Sequence, residues 1–164
     1  MYITYSEYTA LYDTIEEKVF IRLAYDACRH IDRLTTGADG VKKLKVAFPA
    51  DEDSAAAIKH CAANLVYILC QINEAEQSAS AGRGYVQTEN GVHGKVIASV
   101  SAGNESVSYS AGSSAKTAID SAVSDMAARN DLIRNTVREY LSGISDANGV
   151  NLLYMGAYPR RYLC

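Results

Sequence analysis

The sequence predicts a mostly α protein: a bundle of three long helices plus a short N-terminal helix, with one β-hairpin inserted before the C-terminal long helix. Three observations carry that expectation. Apolar residues recur at three- and four-residue spacing over 14–37, 53–77 and 113–143. The spacing switches to alternation across 93–110. Between these stretches lie runs rich in Gly, Ser, Pro and charge, which punctuate rather than continue a helix. At 164 residues the chain can bury one core without a metal or disulfide staple. The expected organisation is a helical adaptor domain over 1–150, with the hairpin at about 93–110, and a docking tail over 151–164.

At the N-terminus Tyr2, Tyr5, Tyr8 and Tyr12 fall three or four apart, so a short helix from about Ser6 stacks their rings on one side. The main helix follows over Thr14–Gly37. Thr14 and Glu17 have capping-box spacing, and Ile15, Val19, Leu23, Ala27, Ile31 and Leu34 form one face widened by Phe20, Ala24 and Cys28. Glu16, Lys18, Arg22, Asp26, Arg29 and Arg33 occupy the other side, and Gly37 is the expected left-handed stop. Val41, Leu44, Val46 and Phe48 then fit either one helical turn or an extended tether, and Pro49 disfavours helix at Phe48.

A second long helix is expected from about Asp53 to Gln77. Asp51, Glu52, Asp53 and Ser54 suit its positive end, and Ile58, Ala62, Leu65, Leu69 and Ile72 form a stripe broadened by Cys61, Val66, Ile68 and Cys70. A helix apolar over most of its circumference is central to a bundle or lies in a subunit interface. Ser78–Gly84 ends the helical half. Val96, Ala98 and Val100 then alternate, as do Val107 and Tyr109 after a turn at Ala102–Asn104, giving the hairpin. A lone hairpin is marginal in water and must pack on helices or pair with another edge. From Ser113 or Ser114 a third helix carries Ile119, Val123, Met126, Ile133, Val137 and Leu141 on one face. The pattern lapses near Asn130 and resumes in register, so one continuous helix closing at Gly143 is expected.

Net charge is −3 and the Lys and Arg residues are dispersed, so the basic footprint that grips duplex DNA is missing. Cys28, Cys61, Cys70 and Cys164 are irregularly spaced and lie mostly in apolar helical runs, which reads as reduced thiols in a cytosolic protein. The N-terminus shows no secretory leader, and no run is expected to span a membrane.

Catalytic patterns are weak. His60 and Cys61 are adjacent and diverge by about a hundred degrees on a helix, so they do not converge on a metal. His30 sits beside a core stripe, where packing is the ordinary role. Gly82-Arg-Gly-Tyr-Val lacks the spacing and lysine of a phosphate loop. Asp51–Asp53 are three consecutive acids, not spaced calcium ligands, and no base is specified for the serines near His93. No catalytic, cofactor or metal residue is assigned, and a non-enzymatic role is expected.

The order of motifs does suggest a family. YSEYTAL over Tyr5–Leu11, IDRLT over Ile31–Thr35, an apolar second helix, SVSYS over Ser106–Ser110, YLSG over Tyr140–Gly143 and NLLYMG over Asn151–Gly156 together resemble the head-tail connector, or head-completion adaptor, proteins of tailed bacteriophages. Two departures stand out: ISDANGV intervenes before the tail motif, and Met155 replaces a commonly basic residue. The resemblance implies a structural virion protein at the neck, assembled in the host cytoplasm. It would form a ring, usually dodecameric, under the portal protein, extend the DNA channel without binding DNA specifically, and join the capsid to a stopper or tail-completion protein.

On that resemblance Leu152, Leu153 and Tyr154 are expected to anchor to the portal or a neighbouring subunit, with Arg160 and Arg161 at the rim. The same residues also fit packing back onto their own bundle. Val107 and Tyr109 either pack on the third helix or pair between subunits. From a different class, a small cytosolic helical regulatory or protein-binding module, monomeric or dimeric, is the alternative.

Overall fold

The computed structural model describes residues 1–81, 83–88, 91–96, 99–102, 105–108 and 117–163, and of these the ones from 78 to 108 are described for their backbone alone. The fold is mostly helical. In chain order the helices are α1 (Tyr5–Thr9), α2 (Glu17–Thr35), α3 (Lys43–Val46), α4 (Glu52–Ala81), α5 (Ala118–Ser124) and α6 (Met126–Leu141), followed by a 3₁₀ turn at Arg160–Tyr162.

Helix α4 is the centre. It packs on α2, α5 and α6, and Ile58, Cys61, Ala62, Ala63, Leu65 and Val66 are fully buried. From α2 the face Phe20, Leu23, Ala24, Ala27 and Ile31 meets it, and from α6 Ile133, Val137 and Leu141. Each fully buried Ile, Leu or Phe contributes about 1.5–3 kcal/mol of transfer free energy, so this three-helix seam dominates stability. The alanines of α4 let the neighbouring backbones approach. A smaller cluster of Ile68, Ile72 and Ala122, with Ile119, Val123 and Leu132 against it, ties α5 to the far end of α4.

By length and composition, Glu52–Gln77 is apolar enough to cross a membrane, with a mean hydropathy of 1.3. This corrects the expectation that no run reaches that length. Half of that window is buried inside the protein, so its apolarity is used by the bundle core.

Several boundaries differ from the expected ones for identifiable reasons. Helix α2 begins at Glu17, with no side-chain cap at Glu16, and Thr14 and Glu17 do not form the expected box. Residues 13–16 run outside the helix, and the Tyr5 hydroxyl donates to the Ile15 carbonyl at 2.7 Å. Capping boxes occur instead at Thr4/Glu7 on α1 and Thr117/Asp120 on α5. Gly37 is not a left-handed stop. The cap of α2 is extended Thr36, and among the described residues positive φ occurs at Gly40, Gly143 and Gly149. Gly37 is needed for closeness, since a Cβ there would lie 2.8 Å from the Gly156 carbonyl oxygen.

The expected single third helix is two. Asp125 adopts an extended backbone (φ −136°, ψ 121°) and its carboxylate accepts from the Ala127 N–H at 2.8 Å, so it ends α5 and caps α6. Arg129 braces the break by donating from Nε to the Ala122 carbonyl at 3.0 Å. The choice open at 41–48 is resolved as a single helical turn, α3, with Leu44 in the core.

The single hairpin expected over 93–110 is not supported. Backbone pairing forms two separate antiparallel ribbons, Arg83–Thr88 with Gly91–Val96, and Ser99–Ala102 with Glu105–Ser108. Alternation marks a segment as extended but does not name its partner, and here 93–96 pairs backwards with 83–86. Val107 lies opposite Val100 in the second ribbon, while Tyr109 lies outside the described residues.

Candidate interaction surface

The segment after α6 is tied to the α2–α3 loop by a polar clasp. Gly143 (φ 78°) turns the chain, and Leu152 returns beside the α6 end by donating its N–H to the Ile144 carbonyl at 2.9 Å. Lys43, though charged, is fully buried. Its ammonium donates to the carbonyl oxygens of Asn151 at 3.1 Å, Leu152 at 2.9 Å and Tyr154, so all three of its protons are committed to the tail. Burial lowers the affinity of Lys43 for its proton below the ordinary lysine range, and the nearby Asp146 and Asp39 carboxylates oppose that shift.

Asp146 is the second fixed point. Its Oδ1 accepts from the N–H groups of Asn148 and Val150, both at 2.9 Å, and its Oδ2 accepts from the Tyr158 hydroxyl at 2.5 Å. Asn148 Nδ2 donates to the same hydroxyl at 2.9 Å. Burial, joined by the Asp146 carboxylate, raises the Tyr158 phenol above its usual range. Asp39 closes the clasp, taking the Tyr158 N–H at 2.7 Å and the Val41 N–H at 3.1 Å. Ala38 donates to the Met155 carbonyl at 3.2 Å. Among the described residues no buried side-chain nitrogen or oxygen lacks a partner, as a stable polar core requires.

This geometry decides where the expected tail anchors sit. Leu152 belongs to the protein's own core, and Leu153 packs half-buried against it. Leu152 therefore cannot present itself at a surface while the chain is folded. Tyr154 is 55 % exposed beside the even more exposed Met155, and Arg160 and Arg161 are exposed on the final turn. So the tail motif divides: its first half is structural, and its second half is surface.

Sequence reasoning missed two other surfaces. On the outer side of α2, Ile21 and Tyr25 stand one turn apart and are 52 % and 64 % exposed. They were hidden inside a helix whose inner stripe accounted for its apolar content. The second surface is an aromatic ladder. Tyr5, Phe20, Tyr8, Tyr12 and Tyr67 follow one another at centroid separations of 5.3, 5.4, 5.5 and 4.9 Å. It passes through buried Tyr8 and ends at surface Tyr67, near which Leu11 is also exposed. The three- and four-residue tyrosine spacing was its visible signal, but Tyr67 comes from α4 and completes it only in the fold.

Two hollows flank Tyr67 and Asp13. One of about 440 Å³ is lined by Thr9, Leu11 and Tyr12, and one of about 170 Å³ by Ile15, Cys70 and Glu74. On the opposite stretch of α2, a cleft of about 700 Å³ runs past Arg29, His30, Arg33 and Lys42. His30 is half-buried, and burial lowers its pKa, with Asp26 opposing. Cys61 is pushed up to about 12 by burial and is chemically quiet. Among the described residues no group of three metal-capable side chains converges. These surfaces can bind by shape, ring stacking and charge. Comparison with protein-family models, curated proteins and solved structures found no match.

Proposed function

We propose that this chain is a structural protein of a tailed-virus neck, an adaptor protomer that forms a ring under the portal protein, lengthens the DNA channel and offers the platform for a stopper or tail-completion protein. The ordered motif set from Tyr5 to Gly156 supports this reading. The single structural observation that carries it is the surplus of large exposed apolar side chains on a bundle whose core is already complete: Ile21 and Tyr25 on α2, Leu11 and Tyr67 at the ladder, Tyr154 and Met155 on the tail. Exposed apolar side chains gathered into patches mark surfaces that another macromolecule covers. In this reading the protein works by assembly rather than turnover, in the virion neck. DNA passes the lumen without sequence-specific contact, in keeping with the net charge of −3.

The 93–110 segment, with Val107 and Tyr109, is the proposed intersubunit element, together with Tyr154, Arg160 and Arg161 on the tail. Leu152 and Leu153 support that tail from within. The self-contained clasp favours one alternative, a small helical binding module that acts as a monomer or dimer, because a tail already satisfied within the chain needs no neighbour to fold.

Imaging the purified chain mixed with a candidate portal protein separates the two readings. Portals capped by a ring are expected. Portals left bare at every protein concentration and salt condition would reject the adaptor and leave the module.

A further inference from the structure

Arg160 and Arg161 lie at one end of the molecule, and a hollow of opposite character lies at the other. The Tyr158 N–H is bonded to Asp39, so the final turn is held at the loop that follows the C-terminus of α2. The hollow at Asp13, Tyr12 and Tyr67 precedes the N-terminus of α2. The 19 residues of α2 span about 28 Å at 1.5 Å per residue. Two further residues of chain and one arginine side chain cannot bridge that length, so Arg160 cannot reach Asp13 of its own chain.

The two ends match in chemistry. Neither Arg160 nor Arg161 has an ion-pair partner among the described residues, and the same holds for Asp13, which lines this hollow, and for Glu74, which lines the adjoining hollow on the other side of Tyr67 and Asp13. After the two cations come Tyr162 and exposed Leu163, which suit a hollow walled by the stacked Tyr12 and Tyr67 rings. A carboxylate in its wall, a second in the adjoining hollow and aromatic faces within are what a short basic-apolar segment requires.

We propose that the C-terminal turn 160–163 of one copy docks into the Tyr12/Tyr67 hollow of a second copy, with Arg160 and Arg161 meeting Asp13 and Glu74. The contact joins unlike patches, so each added copy leaves one turn and one hollow open, and the arrangement closes as a ring when the rotation permits. The proposal rests on the self-assembling reading above for its choice of a second copy as occupant.

Sedimentation of the full-length chain over rising concentration tests it, with two charge-reversed variants, R160E/R161E and D13K/E74K. Wild type is expected to self-associate, less so as salt is raised. Each variant alone should associate at least about tenfold more weakly, because like charges then face each other. An equimolar mixture should recover association, since each turn again meets a hollow of opposite sign. A monomeric wild type at all concentrations, variants that associate as wild type does, or a mixture no tighter than its parts would each overturn the proposal. Portals capped normally by either variant alone would also overturn this contact while the adaptor reading stands. Bare portals beside wild type that self-associates with the charge-swap pattern would reject the adaptor and leave this contact in place.

Discussion

Lys43 donates from its buried ammonium to the Leu152 carbonyl at 2.9 Å, joining residues 109 apart in sequence. The bond and its companion to Tyr154 satisfy carbonyls of the returning tail, while the Asn151 carbonyl accepts both from Lys43 and from the Tyr154 N–H at 3.2 Å. Burying an ammonium is costly in itself, so the contact does not have to add net stability over an apolar replacement designed with its surroundings. Removing the lysine alone is a different matter, because its acceptors stay behind.

Lys43→Met keeps much of the side-chain volume and removes the ammonium from the Leu152 and Tyr154 carbonyls, leaving Asn151 with the Tyr154 N–H alone. A loss of about 3 kcal/mol or more is expected from the stranded carbonyls. Urea unfolding at neutral pH measures it, and a midpoint equal to wild type would mean that the bonds from Lys43 to the tail add nothing to stability.

Leu152 is core while residues beyond Pro159 are surface, so two truncations should behave differently. Ending the chain at Gly149 removes Leu152 and every Lys43 acceptor, and circular dichroism should show a largely unfolded or strongly destabilised protein. Ending it at Pro159 should leave the melting temperature within about 2 °C, the scale of a surface change. Leu152→Ala should cost about 2–5 kcal/mol.

Glu7 supplies a pH test. The Lys59 ammonium at 2.6 Å, with the Thr4 N–H at 2.8 Å, holds its carboxyl at about 2 in place of the ordinary 4.5. As pH falls, the unfolded chain therefore takes up this proton before the folded one. The contribution of Glu7 is complete above about 4.5 and drains away as pH falls through about 2. Both side chains are well exposed, so solvent screening limits it to about 1 kcal/mol or less. Glu7→Gln should flatten that portion of the stability–pH profile between pH 5 and pH 2. An unchanged slope would remove the bond from the account.

Gly37→Ala tests the close approach of loop and tail. The added methyl would sit 2.8 Å from the Gly156 carbonyl oxygen and 2.7 Å from Asp39 Oδ1, closer than atoms settle without movement. A cost of about 1–3 kcal/mol is expected, with faster amide exchange at Ala38, whose N–H bonds the Met155 carbonyl across this contact.

Helical faces were legible because a helix imposes its period on whichever residues meet the core. The α2 stripe through Leu23, Ala27 and Ile31, and the α4 stripe through Ile58, Leu65 and Ile72, are buried as their spacing implies. The break at Asp125 was not legible. The apolar face resumes almost in phase across it, and a capping aspartate also reads as an ordinary polar residue on a helix surface. Thr14 and Glu17 had the right spacing for a cap without the right backbone, since spacing alone carries no φ and ψ.

The candidate surfaces were half legible. Exposed Arg160 and Arg161 follow from charge, whereas Ile21 and Tyr25 look like core residues until the helix is seen to expose the side that carries them. Leu152 and Tyr154 are two residues apart in one apolar run, yet one is sealed in the core and the other faces water.

By itself, then, the order of residues determined the helical class, the inward faces of α2 and α4 and the absence of a strong basic footprint, because these depend on local period and summed charge; on the third helix it misplaced Met126, which is 64 % exposed beside the break at Asp125. Only the tertiary structure decided that Lys43 is buried, that the tail folds back onto the α2–α3 loop, and that Tyr67 completes the ring ladder that starts at Tyr5 on α1. Each of those is a contact between distant segments. Its energy comes from groups that are neighbours in space, and nothing in the local pattern around either partner announces the other.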